Sequence, residues 1–303
     1  MNLRDVQKRI AVLFSIVALS FSITGCGGGG GSSSIADNTP LESQDVVIDV
    51  SNSEQVLSTV FSVIEVGANP TLPLAKSVGE TSVSTTVLAQ PAALRQIQSA
   101  TLVRSEAVVG EPISCTDGGF ITSTDTGMNF SDCNEGGIIM DGTVAVTGNE
   151  TAATMTLSNF TITLDSEIIF YESLTYSFTL NSAYEISSMS ITMNGYTSIF
   201  GERTDYLNYT LTMSMDNLSA ITFSVKGFVK TDCLGGWIEI RTTENIQIND
   251  IDPCPTAGQI VIGGNASSIT IDFNTDGSVN VSGSVTDYYS SCLSLPGDTC
   301  NLI

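Results

Sequence analysis

The chain has 303 residues, with ten Lys and Arg against 32 Asp and Glu, a net charge of −22 at pH 7. A charge this negative repels nucleic acid and anionic lipid headgroups, and argues against both as partners. There is no histidine, which removes the usual general base, the usual activator of Ser and Cys nucleophiles and the commonest transition-metal ligand.

The N-terminus reads as an export signal. Arg4, Lys8 and Arg9 against Asp5 make a positive start that is held on the cytoplasmic side. Ile10 to Ile23 follow as an apolar stretch broken only by small residues. As a helix it would be roughly 21 Å long, short of a hydrocarbon core of about 30 Å, which suits a signal h-region better than a permanent span. Ile23-Thr24-Gly25-Cys26 then resembles the lipobox of bacterial lipoproteins, although family boxes more often open with Leu. The resemblance implies cleavage after residue 25, diacylglycerol on Cys26 and a lipid-anchored partnership with a membrane. Gly27 stands where lipoproteins of the inner membrane often carry Asp, so the resemblance points to the outer membrane of the cell envelope. Removing residues 1–25 takes away three basic groups and one acidic group, leaving seven against 31 and a net charge of −24.

Residues 26–50 are expected to be the lipidated cysteine and a flexible tether. Gly27 to Ser34 (GGGGGSSS) cannot bury apolar surface. Residues 27 to 44 would reach roughly 20–25 Å on average, enough to hold a domain clear of headgroups.

Residues 51–110 are expected to form a short helical segment. Ser51 and Glu54 have the spacing of a capping box. Val56, Leu57, Val60, Phe61 and Ile64 recur on one helical face, and Gly67 is a natural stop. The spacing predicts a helix over 52–65. A second is expected from Pro91 to Arg104, with Leu94, Ile97 and Leu102 apolar.

From about residue 111 to 303 the period changes from 3.6 to 2, and the expectation is a mainly β fold: a large antiparallel meandering sheet. One parity carries Ile168, Phe170, Leu174, Tyr176, Phe178 and Leu180. Another run carries Leu207, Tyr209, Leu211, Met213 and Met215; shorter ones are Met189, Ile191, Met193, then Ile269, Ile271, Phe273, then Val279, Val281. Such alternation belongs to half-buried antiparallel strands. Parity slips between Met155, Leu157 and Phe160, Ile162, Leu164, so a bulge or tight turn is expected at Ser158-Asn159. Asp141-Gly142, Asn194-Gly195, Asp216-Asn217 and Asp276-Gly277 are expected as turns between roughly ten to twelve strands. The apolar face exceeds what two short helices can cover. The sheet therefore either folds on itself as a sandwich or closed barrel, the favoured reading, or curves into a half-barrel whose trough takes a lipid-like ligand.

Six cysteines follow Cys26: Cys115, Cys133, Cys233, Cys254, Cys292 and Cys300. In an oxidising compartment an even number favours three disulfides. Fifteen pairings are open; pairing neighbours in sequence would give Cys115–Cys133, Cys233–Cys254 and Cys292–Cys300. Zinc spacing is absent. Cys115 to Ile121 (CTDGGFI), Cys233 to Ile238 (CLGGWI) and Cys254 to Ile260 (CPTAGQI) each put a cysteine and small residues before an expected strand. With its lipobox, short helical segment, Cys-x-x-Gly-Gly and Ser/Thr-alternating strands, the chain resembles uncharacterised β-rich envelope lipoproteins of Gram-negative bacteria. That resemblance implies no known activity.

Candidate sites are few. Asp272 to Gly277 matches half of a calcium loop, but Gly283 occupies the position of the bidentate Glu, which favours a plain hairpin. Glu244, Asp250 and Asp252 read as a solvated acidic loop, and the Asn-x-Ser/Thr sequons at Asn129, Asn159, Asn208, Asn217 and Asn265 as Ser/Thr-rich strands. Trp237, the only tryptophan, is either a packed residue or an exposed binding aromatic. No catalytic, metal or cofactor residues are assigned. The expected role is a non-enzymatic envelope lipoprotein of structural or binding character, whose partners are the membrane and a hydrophobic ligand or an envelope protein. A half-barrel lipid carrier is the alternative, and a carboxylate-based hydrolase or a membrane-spanning β-barrel stands behind both.

Overall fold

The computed structural model describes residues 45–68, 109–149, 151–181, 186–199, 201–216, 220–249 and 254–295. Among the described residues one α-helix, α1 (Ser53–Ala68), precedes a sheet of fourteen strands. They are β1 (Pro112–Ser114), β2 (Phe120–Ser123), β3 (Gly127–Glu135), β4 (Ile138–Asn149), β5 (Ala152–Leu164), β6 (Glu167–Leu180) and β7 (Ile186–Ile199). Then come β8 (Glu202–Asp216), β9 (Ala220–Thr231), β10 (Trp237–Asn249), β11 (Pro255–Gly264), β12 (Ser267–Phe273), β13 (Val279–Gly283) and β14 (Asp287–Tyr289). Each strand pairs antiparallel with the next, and the order in space is the order in sequence. The fold is one open meander, neither a two-sheet sandwich nor a closed barrel. Both edges are three-residue strands, β1 opening on Pro112 and β14 on Asp287. Short edges carrying a proline or a charge are poor templates for a further strand.

The chain enters at one end of the strands. Asp45 bridges to Trp237 at the start of β10, the Val46 N–H donates to the Trp237 carbonyl, and the Asn265 N–H in the β11–β12 turn donates to the Val46 carbonyl. The turns after β3, β5, β7, β9 and β11 lie at this entry end; those after β4, β6, β8, β10 and β12 lie at the far end.

A helix was expected over 52–65 and runs Ser53–Ala68, through Gly67. The Ser51 capping box does not form. Asp49 instead accepts from the Ser51 N–H at 2.7 Å and from its hydroxyl at 2.5 Å, and the first helical bond runs from the Val56 N–H to the Asn52 carbonyl. A carboxylate two residues upstream competes successfully for the serine. Val56, Leu57, Val60 and Val63 are buried on one face of α1. That face lies on the inner face of the sheet: the Tyr209 hydroxyl of β8 donates to the Val63 carbonyl at 3.1 Å, and Phe61 meets Phe273 of β12 edge-on at 6.3 Å. One helix touching strands four apart means that the sheet curves around it. The expected helix from Pro91 to Arg104 lies outside the described residues.

The curvature has a visible cause. A row of bulges crosses the sheet from β3 to β10, each adding a residue to one strand of a pair. Asp132 in β3, Asn159 in β5 and Asn208 in β8 carry it with φ of 47°, 45° and 49°. Asn and Asp tolerate this left-handed conformation better than other non-glycine residues. Facing strands supply glycine where backbones close in: a Cβ on Gly142 (φ 124°) would lie 2.6 Å from the Phe160 Cα, and one on Gly227 (φ 137°) 2.5 Å from the Tyr209 Cα. Each bulge bends its strand and raises local twist, so the row acts as a crease.

The crease also reverses side-chain parity and corrects several expectations. The slip at Ser158-Asn159 is a bulge inside an unbroken β5. In β6, Ile169 and Tyr171 face inward on one side of Glu172, and Leu174 and Tyr176 on the other. Ile168 and Phe170 therefore do not share the inner face with Leu174, as the sequence suggested. In β8, Tyr206 and Tyr209 face inward and Leu207 outward. Asp141-Gly142 and Asn194-Gly195 are not turns; both lie within strands at the crease. Asp276-Gly277 does sit in the β12–β13 turn, and Asp216 ends β8.

The first disulfide pairs as sequence neighbours, Cys115–Cys133, at the entry end. The other two neighbour pairings are overturned by Cys254–Cys292. Cys233 precedes β10 and Cys254 follows it; the 13 residues of β10 put them about 40 Å apart, far beyond disulfide reach. Cys233 is disulfide-bonded as well. Cys26 and Cys300 both lie outside them.

Candidate functional site

The outer face differs sharply on the two sides of the crease. On the far half of β5 to β9 it is a grid of hydroxyls in register. Thr156, Thr175, Thr192 and Thr210 form one row, closed on β9 by the exposed Lys226; Thr154, Ser177, Ser190, Thr212 and Ser224 form the next. These hydroxyls bond one another, as in Thr154–Ser177 at 3.0 Å and Thr192–Thr210 at 3.3 Å. They present no ring and no apolar branch beyond the threonine methyls.

On the entry half, the same strands carry a different set. A single row runs Thr161, Phe170, Tyr196, Asp205, Lys230 and Trp237 across β5 to β10. Their inward neighbours Phe160, Ile169, Tyr171, Tyr206, Val229 and Ile238 are buried, which turns the row outward. All six are half-buried rather than open. The Phe170 and Tyr196 rings lie 5.4 Å apart at 41°. The Arg203 guanidinium sits 3.9 Å above the Tyr196 ring and donates to Asp205 Oδ1 from Nε at 2.9 Å and Nη2 at 2.6 Å. The Arg203 N–H donates to Asp232 Oδ2 at 2.9 Å. Hydrogen bonding to Asp205 is the main reason the guanidinium pKa is raised further above its ordinary value. An exposed ion pair of this kind contributes little stability, so its consequence is a fixed side chain.

The inner face carries one anomaly. Glu167 opens β6 on the same inward parity as Ile169 and is 5 % exposed, and neither carboxylate oxygen has a hydrogen-bond partner. Burial, and secondarily the charge of Asp165, hold its pKa above the usual glutamate value. At the other end of β6, inward positions of the far half are soft: the Tyr176 hydroxyl donates to the Met189 sulfur at 3.0 Å, with Met193 and Met213 buried alongside.

The residues singled out from sequence fall as follows. Asp272 accepts from the Gln259 side chain at 2.6 Å, while Asp276 accepts from the Ser278 N–H and hydroxyl. The half calcium loop is thus a hairpin turn with its oxygens engaged by protein donors. Glu244 is exposed on β10; Asp250 and Asp252 lie outside the described residues. Asn159 and Asn208 are bulge residues, a role the sequon pattern concealed; Asn129 and Asn265 are exposed, and Asn217 lies outside the described residues. Cys115, Cys133 and Glu135 cluster within metal-ligand distance, but the two sulfurs are bonded to each other and offer no thiolate. Arg203 and Tyr196 were missed, because Phe170 beside them had been placed on the inner face. Among the described residues no helix is long and apolar enough to cross a membrane. No family model matches the chain, and no curated protein is similar to it.

Proposed function

We propose that this chain is a membrane-anchored envelope lipoprotein with a non-enzymatic structural or binding role, tethered through acylated Cys26 and exported by residues 1–25. What carries the reading is the order of parts at the N-terminus: a charged start, a short apolar run, Ile23-Thr24-Gly25-Cys26, then a Gly/Ser tract. The Cys115–Cys133 and Cys254–Cys292 bonds support it, since such pairs persist in oxidising compartments. Outer-membrane placement rests on Gly27 after the cysteine.

A lipid-carrier reading is the alternative, favoured by the methionine-rich inner face at β7 and β8 and by the unpartnered Glu167 carboxylate. Against it, α1 already lies on the inner face between β8 and β12.

The test is intact mass spectrometry of the membrane-extracted protein, mild enough to retain bound lipid. A chain beginning at Cys26 with acyl mass, and a Cys26→Ala variant released from membranes by washing, is the expected outcome. A full-length chain without acyl mass overturns the anchor. Stoichiometric extra lipid, lost when Phe178 becomes Asp in a folded protein, makes the carrier the better reading. Phe178 suits this test because it packs against the inner core, whereas Phe170 faces outward.

A further inference from the structure

We propose that the outer-face row Thr161–Phe170–Tyr196–Asp205–Lys230–Trp237, with Arg203 stacked on Tyr196, is a binding site for an uncharged polysaccharide lying across the strands.

The row has the chemistry that a sugar chain requires. A pyranose ring has an apolar C–H face and a rim of hydroxyls, so its receptor needs flat hydrophobic rings interleaved with planar donors and acceptors. Here the adjacent rings of Phe170 and Tyr196 are followed in one register by Asp205, Lys230 and the Trp237 ring, with the Arg203 guanidinium stacked on Tyr196 from beside the row. Six strands at 4.7–4.9 Å separation make a platform of about 24 Å, long enough for several ring units. It is also held still: Asp205 and Asp232 clamp Arg203 from its side chain and its backbone. A preorganised site loses less entropy on binding.

Charge selects an uncharged ligand. The four Lys and Arg among the described residues, Arg203, Lys226, Lys230 and Arg241, all lie on β8 to β10. They are interspersed there with Asp205, Asp232 and Glu239, so the patch offers donors without a positive field. The chain's net charge of −22 repels polyanions at longer range. The far half supplies the contrast. On the same strands, with the same backbone, its outward positions hold Thr175, Ser177, Ser190, Thr192, Thr210 and Thr212 and no ring, although Lys226 stands opposite Thr210 there and so belongs to this half. The fold therefore does not demand outward rings, and the half-buried rings of Phe170, Tyr196 and Trp237 give the entry half an outward apolar patch that the far half lacks.

Aromatic and cationic residues also collect at membrane interfaces. An anionic lipid surface is disfavoured here by Asp205 within the row and by Asp232 and Glu239 beside it. The proposal holds whether or not Cys26 is acylated.

The test is sedimentation of the detergent-extracted full chain with three uncharged insoluble glycans, cellulose, chitin and a β-1,3-glucan, beside phosphatidylethanolamine–phosphatidylglycerol vesicles. The expected result is retention on at least one glycan that resists salt and is released by its soluble oligosaccharide. Tyr196→Ala with Trp237→Ala should weaken it by tenfold or more, each stacked ring contributing about 0.5–1.5 kcal/mol. Thr192→Ala on the far half should leave it unchanged. Phe170→Ala and Arg203→Ala, at outward positions, repeat the test should the double variant fail to fold. Failure of all three glycans to retain the chain overturns the proposal, as does retention that folded row variants leave intact. Vesicle binding lost in the same variants would assign the row to a lipid surface instead. The acyl mass of Cys26 is read separately, so either proposal can fail alone.

Discussion

The two halves of the outer face share five strands, one hydrogen-bond ladder and the same inward demand, yet differ completely in what they show to solvent. Far from the entry end, Thr154 with Ser177, Thr192 with Thr210 and Ser224 with Thr212 bond in a hydroxyl grid. Across the crease, Phe170, Tyr196 and Arg203 form a stacked cluster. Inward positions are fixed by packing, because a misfit there costs several kcal/mol. Outward positions are nearly free, so their chemistry records solubility on one side and recognition on the other. The crease marks the division: parity reverses across it in β5, β6 and β8 but not in β7 or β9.

The largest expected effect is therefore on the crease itself. Gly142→Val places a β-branched residue at φ 124° against the Asn159 carbonyl and the Phe160 Cα. Backbone strain of about 1–3 kcal/mol and an overpacking cost of similar size act together. Urea unfolding should show a loss of 3 kcal/mol or more. A loss under 1 kcal/mol would mean that the bulges follow the curvature rather than cause it. Next, Cys254→Ala with Cys292→Ala removes the clasp on the far end of β11 to β14, closing 38 residues of separation, and should cost about 2–4 kcal/mol. Neither Gly142→Val nor the cysteine pair touches the outer row, so glycan retention by the folded fraction should survive the disulfide variant.

A third prediction concerns pH. Glu167 has its folded pKa raised above the unfolded value, so the folded state binds more protons between the two. Stability from this group is present below the ordinary glutamate pKa and declines as pH rises through the folded one. Glu167→Gln should flatten that decline, seen as a smaller fall in Tm between pH 4 and pH 7 than in the parent chain. An unchanged slope would mean that the carboxylate is paired in solution. Asp49 and Asp276 act with the opposite sign: hydrogen bonds from Ser51 and Ser278 hold their pKa values down, and what they contribute is lost as pH falls.

These sites differ in how far the sequence exposed them. Alternation in β12 and β13 was readable because Ile269, Ile271, Phe273, Val279 and Val281 cross no bulge. In β6 it misled, since Ile168, Ile169, Phe170 and Tyr171 are apolar on both parities and either register looks plausible. Asp141-Gly142 and Asn194-Gly195 read as turns because turns and bulges ask for the same positive φ. Only the pairing across strands tells them apart. Cys254 and Cys292 were unmatchable without the strand order, which returns the chain to the far end after β14, where the Cys292 N–H donates to the Gly277 carbonyl. The outer row was invisible for the same reason: its members are dispersed over 77 positions from Thr161 to Trp237 and meet only in the register of six strands.

The smallest expected effect is the most discriminating. Exchanging chemistry across the crease, Tyr196→Thr on the entry half and Thr192→Tyr on the far half, alters two outward positions of β7 that lie four residues apart. Tyr196→Thr removes a cation–π contact and a cross-strand ring pair, together about 1 kcal/mol. Thr192→Tyr breaks the Thr192–Thr210 hydroxyl bond and should change stability by no more than about 1 kcal/mol. Were the rings of the entry half structural, the first exchange would cost as much as emptying a core position, 3 kcal/mol or more, and the second would not. Near-equal small effects on unfolding, with glycan retention lost in the first alone, would locate the difference between the halves in what they bind rather than in how they fold.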